Sequence, residues 1–151
     1  MRAVVQRVSC ASVSVQSEII AEIGKGLLAY VGAMRGDGAA DVAYTASKIF
    51  GLRIFEDEDG RMARSVAEVG GAILLVPQFT LLGDVRRGRR PSFDEAEAPE
   101  RARILFEELV QAIRSEAGCL LVQTGRFREE MTVRAAVDGP VTILIDSRRT
   151  F

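Results

Sequence analysis

The chain contains no histidine. That absence removes every His-dependent catalytic triad, His general base and His metal ligand. Cysteine is scarce as well: Cys10 and Cys119 are the only two, far apart in sequence. Without a CxxC pair, neither a zinc knuckle nor a thioredoxin-like redox site can be read. No apolar run approaches the roughly 18 residues that a membrane-spanning helix needs. The opening stretch breaks its apolar residues with Gln6, Arg7 and Ser9, so no export signal and no membrane partner are expected. Free cysteines without a leader make the cytoplasm the expected location. The glycine spacing matches neither a Rossmann fingerprint nor a P-loop, so dinucleotide and ATP chemistry are not expected. The sequence calls for no cofactor and no metal. Lysine is rare: of twenty basic residues only Lys25 and Lys48 are lysine, and the rest are arginine. Codon bias would produce this. So would oxyanion recognition through the planar guanidinium fork.

What is present is an ordinary globular balance over 151 residues: 48% hydrophobic, 27% charged, net charge −1. That fits one domain over 1–151 with a single core. It does not mark a nucleic-acid binder by bulk charge.

The apolar pattern predicts the elements. Val4–Val8 and Ala11–Val15 alternate with period two and read as two half-buried strands. After the turn Gly24-Lys25-Gly26, the run Leu27–Val31 suits a strand buried on both faces. Val42, Ala46, Ile49 and Phe50 place a helix over about Ala39 to Leu52. Arg53–Phe55 and Arg61–Met62 read as strands around the Asp59-Gly60 turn. Ala72–Val76 is a second fully apolar strand, leading into Pro77-Gln78-Phe79-Thr80-Leu81. A polar connection follows over Leu82–Ala98. Loops of that length are uncommon in compact domains and are often functional. Pro99 opens a helix whose stripe is Ala102, Leu105, Phe106, Leu109 and Ile113, and Gly118 stops it. Leu120–Gln123, Met131–Val137 and Val141–Ile145 read as strands, the last two joined by a turn at Asp138-Gly139-Pro140. The expected fold is α+β: a mostly β core of about seven strands with two main helices in β/β/α layers.

Chemistry concentrates at the end of the Ala72–Val76 strand, where the ladder stops and backbone N–H groups are free to meet a ligand. Thr80 could serve there as nucleophile, as a hydrogen-bonding or backbone-positioning residue, or in packing. A nucleophilic hydroxyl needs an adjacent base, and Thr80 has no evident one. By local chemistry Gly139-Pro140 reads as a trans turn, though glycine also allows close approach of backbone to ligand. Arg86, Arg87, Arg89 and Arg90 flank Gly88 and could neutralise phosphates or form a solvated loop. Phe127, after Gly125-Arg126, could stack on a base or belong to the core. The acidic run Glu56–Asp59 and the pair Asp94-Glu95 read as surface charge; neither has the spacing of a calcium loop.

Six segments together resemble the D-aminoacyl-tRNA deacylase family, in order and over essentially the whole chain. They are Met1–Val8, Gly24–Leu28, Pro77–Leu81, Arg90–Phe93, Gln123–Phe127 and Asp138–Thr142. The resemblance implies a homodimer that hydrolyses the ester between a D-amino acid and the terminal adenosine of tRNA. It also implies removal of glycine mischarged on tRNA for alanine. Gln78, Phe79 and Thr80 would form the catalytic motif. Pro77 stands where the family usually has Ser, which removes a hydroxyl and a backbone N–H. Gly139 and Pro140 would form a Gly-cisPro pair that enters the partner subunit's pocket and excludes L side chains. Arg7 would brace that pair. Pro77, Ala102, Phe127 and Met131 would contribute to the pocket for substrate and adenosine. Catalysis would use the tRNA's own 2′-hydroxyl, with backbone N–H donors near Phe79 and Thr80. Two other readings remain open at this level: a non-catalytic RNA-binding module, and an esterase with Thr80 as nucleophile.

Overall fold

The N-terminal alternation builds one strand, not two. In the computed structural model, which describes residues 1–150, β1 runs unbroken over Arg2–Val15. Phe151, the last residue of the expected domain, lies outside the described residues. Along one side β1 pairs antiparallel with β8 (Thr132–Asp146); along the other it pairs with β3 (Gly26–Gly32) and then β2 (Glu18–Ile23). The β2 strand was not expected, because Glu18 and Glu22 dilute its alternation.

The two faces of the sheet carry separate cores. Ala3 and Val5 point into the core shared with the helices, whereas Val8, Ala11 and Val13 belong to a second core on the opposite face. A regular strand would keep Val5, Ala11 and Val13 on one face. The alternation flips because Ser9 is an extra residue: Val8 faces Val137, but Cys10 faces Ala136. Such a bulge reverses side-chain direction and bends the strand. It lets β1 leave the helix-covered face and curl over the other.

The remaining elements follow crossover logic. α1 (Ala39–Gly51) links β3 to the parallel side of the sheet, where β6 (Ala72–Pro77) pairs with β3. α2 (Pro99–Ala117) leads to β7 (Val122–Thr124), parallel to β6. Parallel neighbours need such a crossover. Leu27, Ala29, Ile73 and Leu75 face the helices; Leu28, Leu74 and Val76 face the second core. This two-sided burial is why β3 and β6 read as continuous apolar runs. The short strands β4 (Phe55–Glu56) and β5 (Met62–Arg64) form a separate ribbon, shifted slightly from the expected 53–55 and 61–62. The β7 strand likewise starts two residues later than expected. The described residues form a mixed arrangement of eight strands with two α-helices, the expected α+β class.

The largest correction concerns β8. Met131–Val137 and Val141–Ile145 are one strand, and Asp138-Gly139-Pro140 is not a turn between two. Gln6 faces Thr142 and Val8 faces Val137. Arg7 alone therefore stands opposite the four residues Asp138 to Val141, which loop out of the ladder. Sequence read a turn because Asp, Gly and Pro are turn residues. Pairing of both flanks with the same long strand makes it a four-residue bulge instead.

Candidate active site

The end of β6 opens onto a cavity of about 820 Å³. The strand ends at Pro77. Gln78 N–H still donates to Val31 O at 2.7 Å, after which Phe79–Leu82 turns into a short 3₁₀ segment. Gly32 makes the turn's position feasible, since a Cβ there would come within 2.8 Å of Gln78 O. Within the turn, Leu81 N–H donates to Gln78 O and Gly83 N–H to Thr80 O. The Phe79 and Thr80 N–H groups have no acceptor among the described residues. The first donors of any helical turn lack intrahelical partners. Here they follow directly on Pro77 and Gln78, and Phe79 itself lines the cavity.

Pro77, Gln78, Phe79, Ala102 and Phe127 all line that cavity. Its floor is apolar, formed in part by Met1, Val31 and Phe106, and Arg35, Glu97 and Arg128 add charge. Phe79 is 57% exposed, unusual for an aromatic side chain, and its ring meets Phe93 edge to face at 5.1 Å. The Thr80 hydroxyl is engaged by the Gln78 side-chain amide. No base touches it, so the geometry gives it no activation as a nucleophile.

Met131 lies outside the cavity wall. It packs against the second core, its sulfur 2.8 Å from where a Cβ on Gly125 would sit. Gly125 N–H donates to Leu75 O, so Met131 supports the strand end from behind.

Glu97 and Arg35 were not foreseen. Gly36 N–H and Ala98 N–H donate to the Glu97 carboxylate at 3.0 and 2.8 Å. These two backbone donors hold its pKa below the ordinary glutamate value. The only sequence hint was an acid just ahead of the Pro99 helix start.

Gly139, Pro140 and Arg7 form a second cluster on β1 and β8. The Gly139–Pro140 bond is cis, and Gly139 has φ +114°, a conformation that favours glycine. Both residues are exposed. Arg7 is 5% exposed; its guanidinium donates to Ile54 O at 2.7 Å and lies 3.0 Å from Asp138 and 3.7 Å from Glu56. The approach to Asp138 is a charge pair with poor N–H alignment. Within one chain, this cluster is not part of the cavity wall.

Arg86, Arg87, Arg89 and Arg90 project from an exposed loop. Its base is closed by reciprocal backbone hydrogen bonds between Asp84 and Ser92 at 2.8 and 2.9 Å. Arg86 is already engaged by Asp84, at 2.9 and 2.7 Å. The Arg86 side chain and N–H hold the Asp84 carboxyl down to about 2.

A largely apolar cavity at a strand end, with a few polar groups converging on it, places the chain in a class: an α+β protein with the kind of site that enzymes use for small ligands. Comparison with known proteins narrows it. The family profile described as D-Tyr-tRNA(Tyr) deacylase matches residues 4–146. A D-aminoacyl-tRNA deacylase of Symbiobacterium thermophilum is 54% identical over 151 residues, covering 100% of this chain and 99% of that protein. One from Thermotoga petrophila is 50% identical, with both chains covered in full. A solved structure titled c-Myc DNA Unwinding Element Binding Protein superposes with TM-score 0.92 at 37% identity, covering 97% of this chain and 98% of that one. A probable eukaryotic D-amino acid tRNA deacylase shares the fold at TM-score 0.82 and 18% identity. The chain belongs to the D-aminoacyl-tRNA deacylase family, and it is a hydrolase.

Proposed function

We propose that this enzyme acts as a homodimer on the ester joining a D-amino acid to the terminal adenosine of tRNA, in the cytoplasm. Glycine mischarged on tRNA for alanine is a second substrate. The observation that carries the reading is the pair of unpartnered N–H groups on Phe79 and Thr80, just past a strand end whose residues Pro77, Gln78 and Phe79 line a cavity large enough for a nucleoside. Adenosine occupies that cavity against Phe127 and Ala102, and the ester carbonyl lies at the strand end beside Gln78. Water adds to the carbonyl, and the oxyanion that forms accepts hydrogen bonds from the two N–H groups. Each such donor is worth roughly 10²–10³ in rate. The carbon–oxygen bond to the ribose then breaks, and the 3′-oxygen leaves as a hydroxyl. The chain offers no histidine for these proton transfers. The neighbouring 2′-hydroxyl of the substrate carries them.

Stereochemistry comes from Gly139 and Pro140 of the partner subunit, whose carbonyls crowd the side on which an L side chain would lie. A D side chain points away, and glycine has none. Rejection by built-in clash is an efficient route to specificity. Arg7 holds this segment in place. Support for a second subunit comes from β8: Leu144 is 59% exposed and Val137 is also exposed, on a strand whose outer edge is unpaired. Uncovered apolar edges of this kind invite association. Arg86, Arg87, Arg89 and Arg90 contribute phosphate contacts to the tRNA.

The test is release of D-tyrosine and L-tyrosine from charged tRNA. Rapid release of D-tyrosine alone is expected, and equal rates would remove the reading. A tRNA ending in 2′-deoxyadenosine should be cleaved at least about 100-fold more slowly. Binding without cleavage would favour the RNA-binding module instead.

A further inference from the structure

The turn that carries Phe79 and Thr80 is short, and these first two residues are exposed. Its internal bonds include Leu81 N–H to Gln78 O at 3.3 Å, and the Phe79 side chain stands 57% in solvent. Yet a donor pair for an oxyanion must be held to a fraction of an ångström. The side chain that meets Phe79 from outside the turn is Phe93, its ring centroid 5.1 Å away at an interplanar angle of 64°. Edge-to-face contact is a directional aromatic geometry, in which the positive edge of one ring meets the negative face of the other.

Phe93 is itself fixed. It follows Ser92, whose main chain exchanges two hydrogen bonds with Asp84 at the base of the arginine loop. Its N-terminal neighbour is held further by the Ser92 hydroxyl, 2.6 Å from Asp94. On its other flank the ring lies close to Gly83, which leaves it room: a Cβ there would come within 3.2 Å of the Phe93 ring carbon Cε1 and 3.1 Å of Thr80 O. Phe93 therefore meets the turn at Phe79, at its start, and lies beside Gly83, at its close. Four residues on, the Glu97 N–H donates to Ala33 O at 3.0 Å and completes the brace.

We propose that Phe93 is a positioning residue for deacylation. Its ring sets the orientation of the Phe79–Thr80 backbone donors and links them to the base of the Arg86–Arg90 loop. This rests on the proposed role of those donors. Phe93 also lines the cavity, so a direct substrate contact is the competing role, and kinetics distinguish the two.

The experiment compares wild type with Phe93→Ala, Phe93→Leu and Phe93→Tyr. On D-tyrosyl-tRNA, Phe93→Ala and Phe93→Leu should lower kcat about ten-fold or more with KM within two- to three-fold. Phe93→Tyr, which keeps the ring, should restore kcat. A second readout needs no turnover: in ¹H–¹⁵N spectra of the whole protein, the Phe79 and Thr80 amide signals should shift or broaden in Phe93→Ala and Phe93→Leu but stay put in Phe93→Tyr. Unchanged kcat in a folded Phe93→Ala, or a raised KM with kcat intact, overturns the proposal. So do unmoved Phe79 and Thr80 amides. If Phe93→Ala fails to fold, Phe93→Leu decides by the same criteria. Should the wild type release no D-tyrosine, the deacylation reading fails by itself, and the amide spectra still decide whether Phe93 orients the turn.

Discussion

The Arg7 guanidinium lies 3.0 Å from the point where a Cβ on Gly139 would sit. The buried cation and the exposed loop are thus in contact with no room between them. Arg7 alone occupies the β1 side of the gap left by the four bulged residues of β8. Gly139→Ala should be costly twice over, through the +114° φ and through collisions with Arg7 and Val141. We expect a loss of about 1–3 kcal/mol and a fall in the ratio of D- to L-tyrosyl-tRNA cleavage. Thermal melts and the two deacylation rates measure these. An unchanged ratio would remove Gly139 from the chirality filter.

Arg7 joins three partners: Ile54 O just ahead of β4, Glu56 on β4 and Asp138 on β8. A lysine ammonium is a point charge and cannot serve a fork of directions. Arg7→Lys should therefore retain the fold yet lose discrimination, while Arg7→Ala should also destabilise by about 1–3 kcal/mol. Full discrimination in Arg7→Lys would show that charge alone suffices.

Thr80 tests nucleophilic catalysis. Its hydroxyl is hydrogen-bonded to Gln78 and meets no base. Thr80→Ala should keep kcat within about ten-fold of wild type, since the N–H donors belong to the main chain. Mass spectrometry of quenched turnover should find no acyl-enzyme. A trapped ester on Thr80 would restore the nucleophile reading.

Leu144 tests the dimer. It is exposed on the side of β8 facing away from the helix-side core, beside Thr142 and opposite Val4. Leu144→Asp should convert a dimer to a monomer in sedimentation velocity and abolish deacylation, with the fold intact by circular dichroism. A monomeric protein of full activity would exclude a shared site.

Acid should act through Asp146. Burial pushes its pKa up, but the Thr150 hydroxyl, the Arg148 N–H and the charge of Arg2 outweigh that, leaving it below the ordinary 3.8. A carboxyl depressed in the folded state stabilises fully above its unfolded pKa and loses that contribution as pH falls through the folded value. Stability should therefore drop below about pH 4, and Asp146→Asn should flatten that part of the curve while lowering stability at pH 7. Denaturant melts from pH 2 to 7 check this.

Much of the architecture was legible. The continuous apolar runs of β3 and β6 and the helical stripes of α1 and α2 carry their periodicity openly, because each buries a face regardless of neighbours. Of the residues expected at the site, Pro77, Gln78, Phe79, Ala102 and Phe127 line one cavity, whereas Thr80 and Met131 do not. The β2 strand was missed because half its residues face water. Glu97 gave little signal, since its position on the cavity depends on backbone donors from Gly36 and Ala98.

Residue order alone excluded histidine chemistry, set the two crossover helices and placed a polar, aromatic corner after a buried strand. These follow from composition and local periodicity, which act over a few residues. Tertiary structure alone decided that Asp138–Val141 is a bulge facing Arg7, that Ser9 flips β1 between two cores, and that Phe93 meets Phe79. Each depends on which strand or loop lies alongside, and that pairing is set by contacts between segments far apart in the chain.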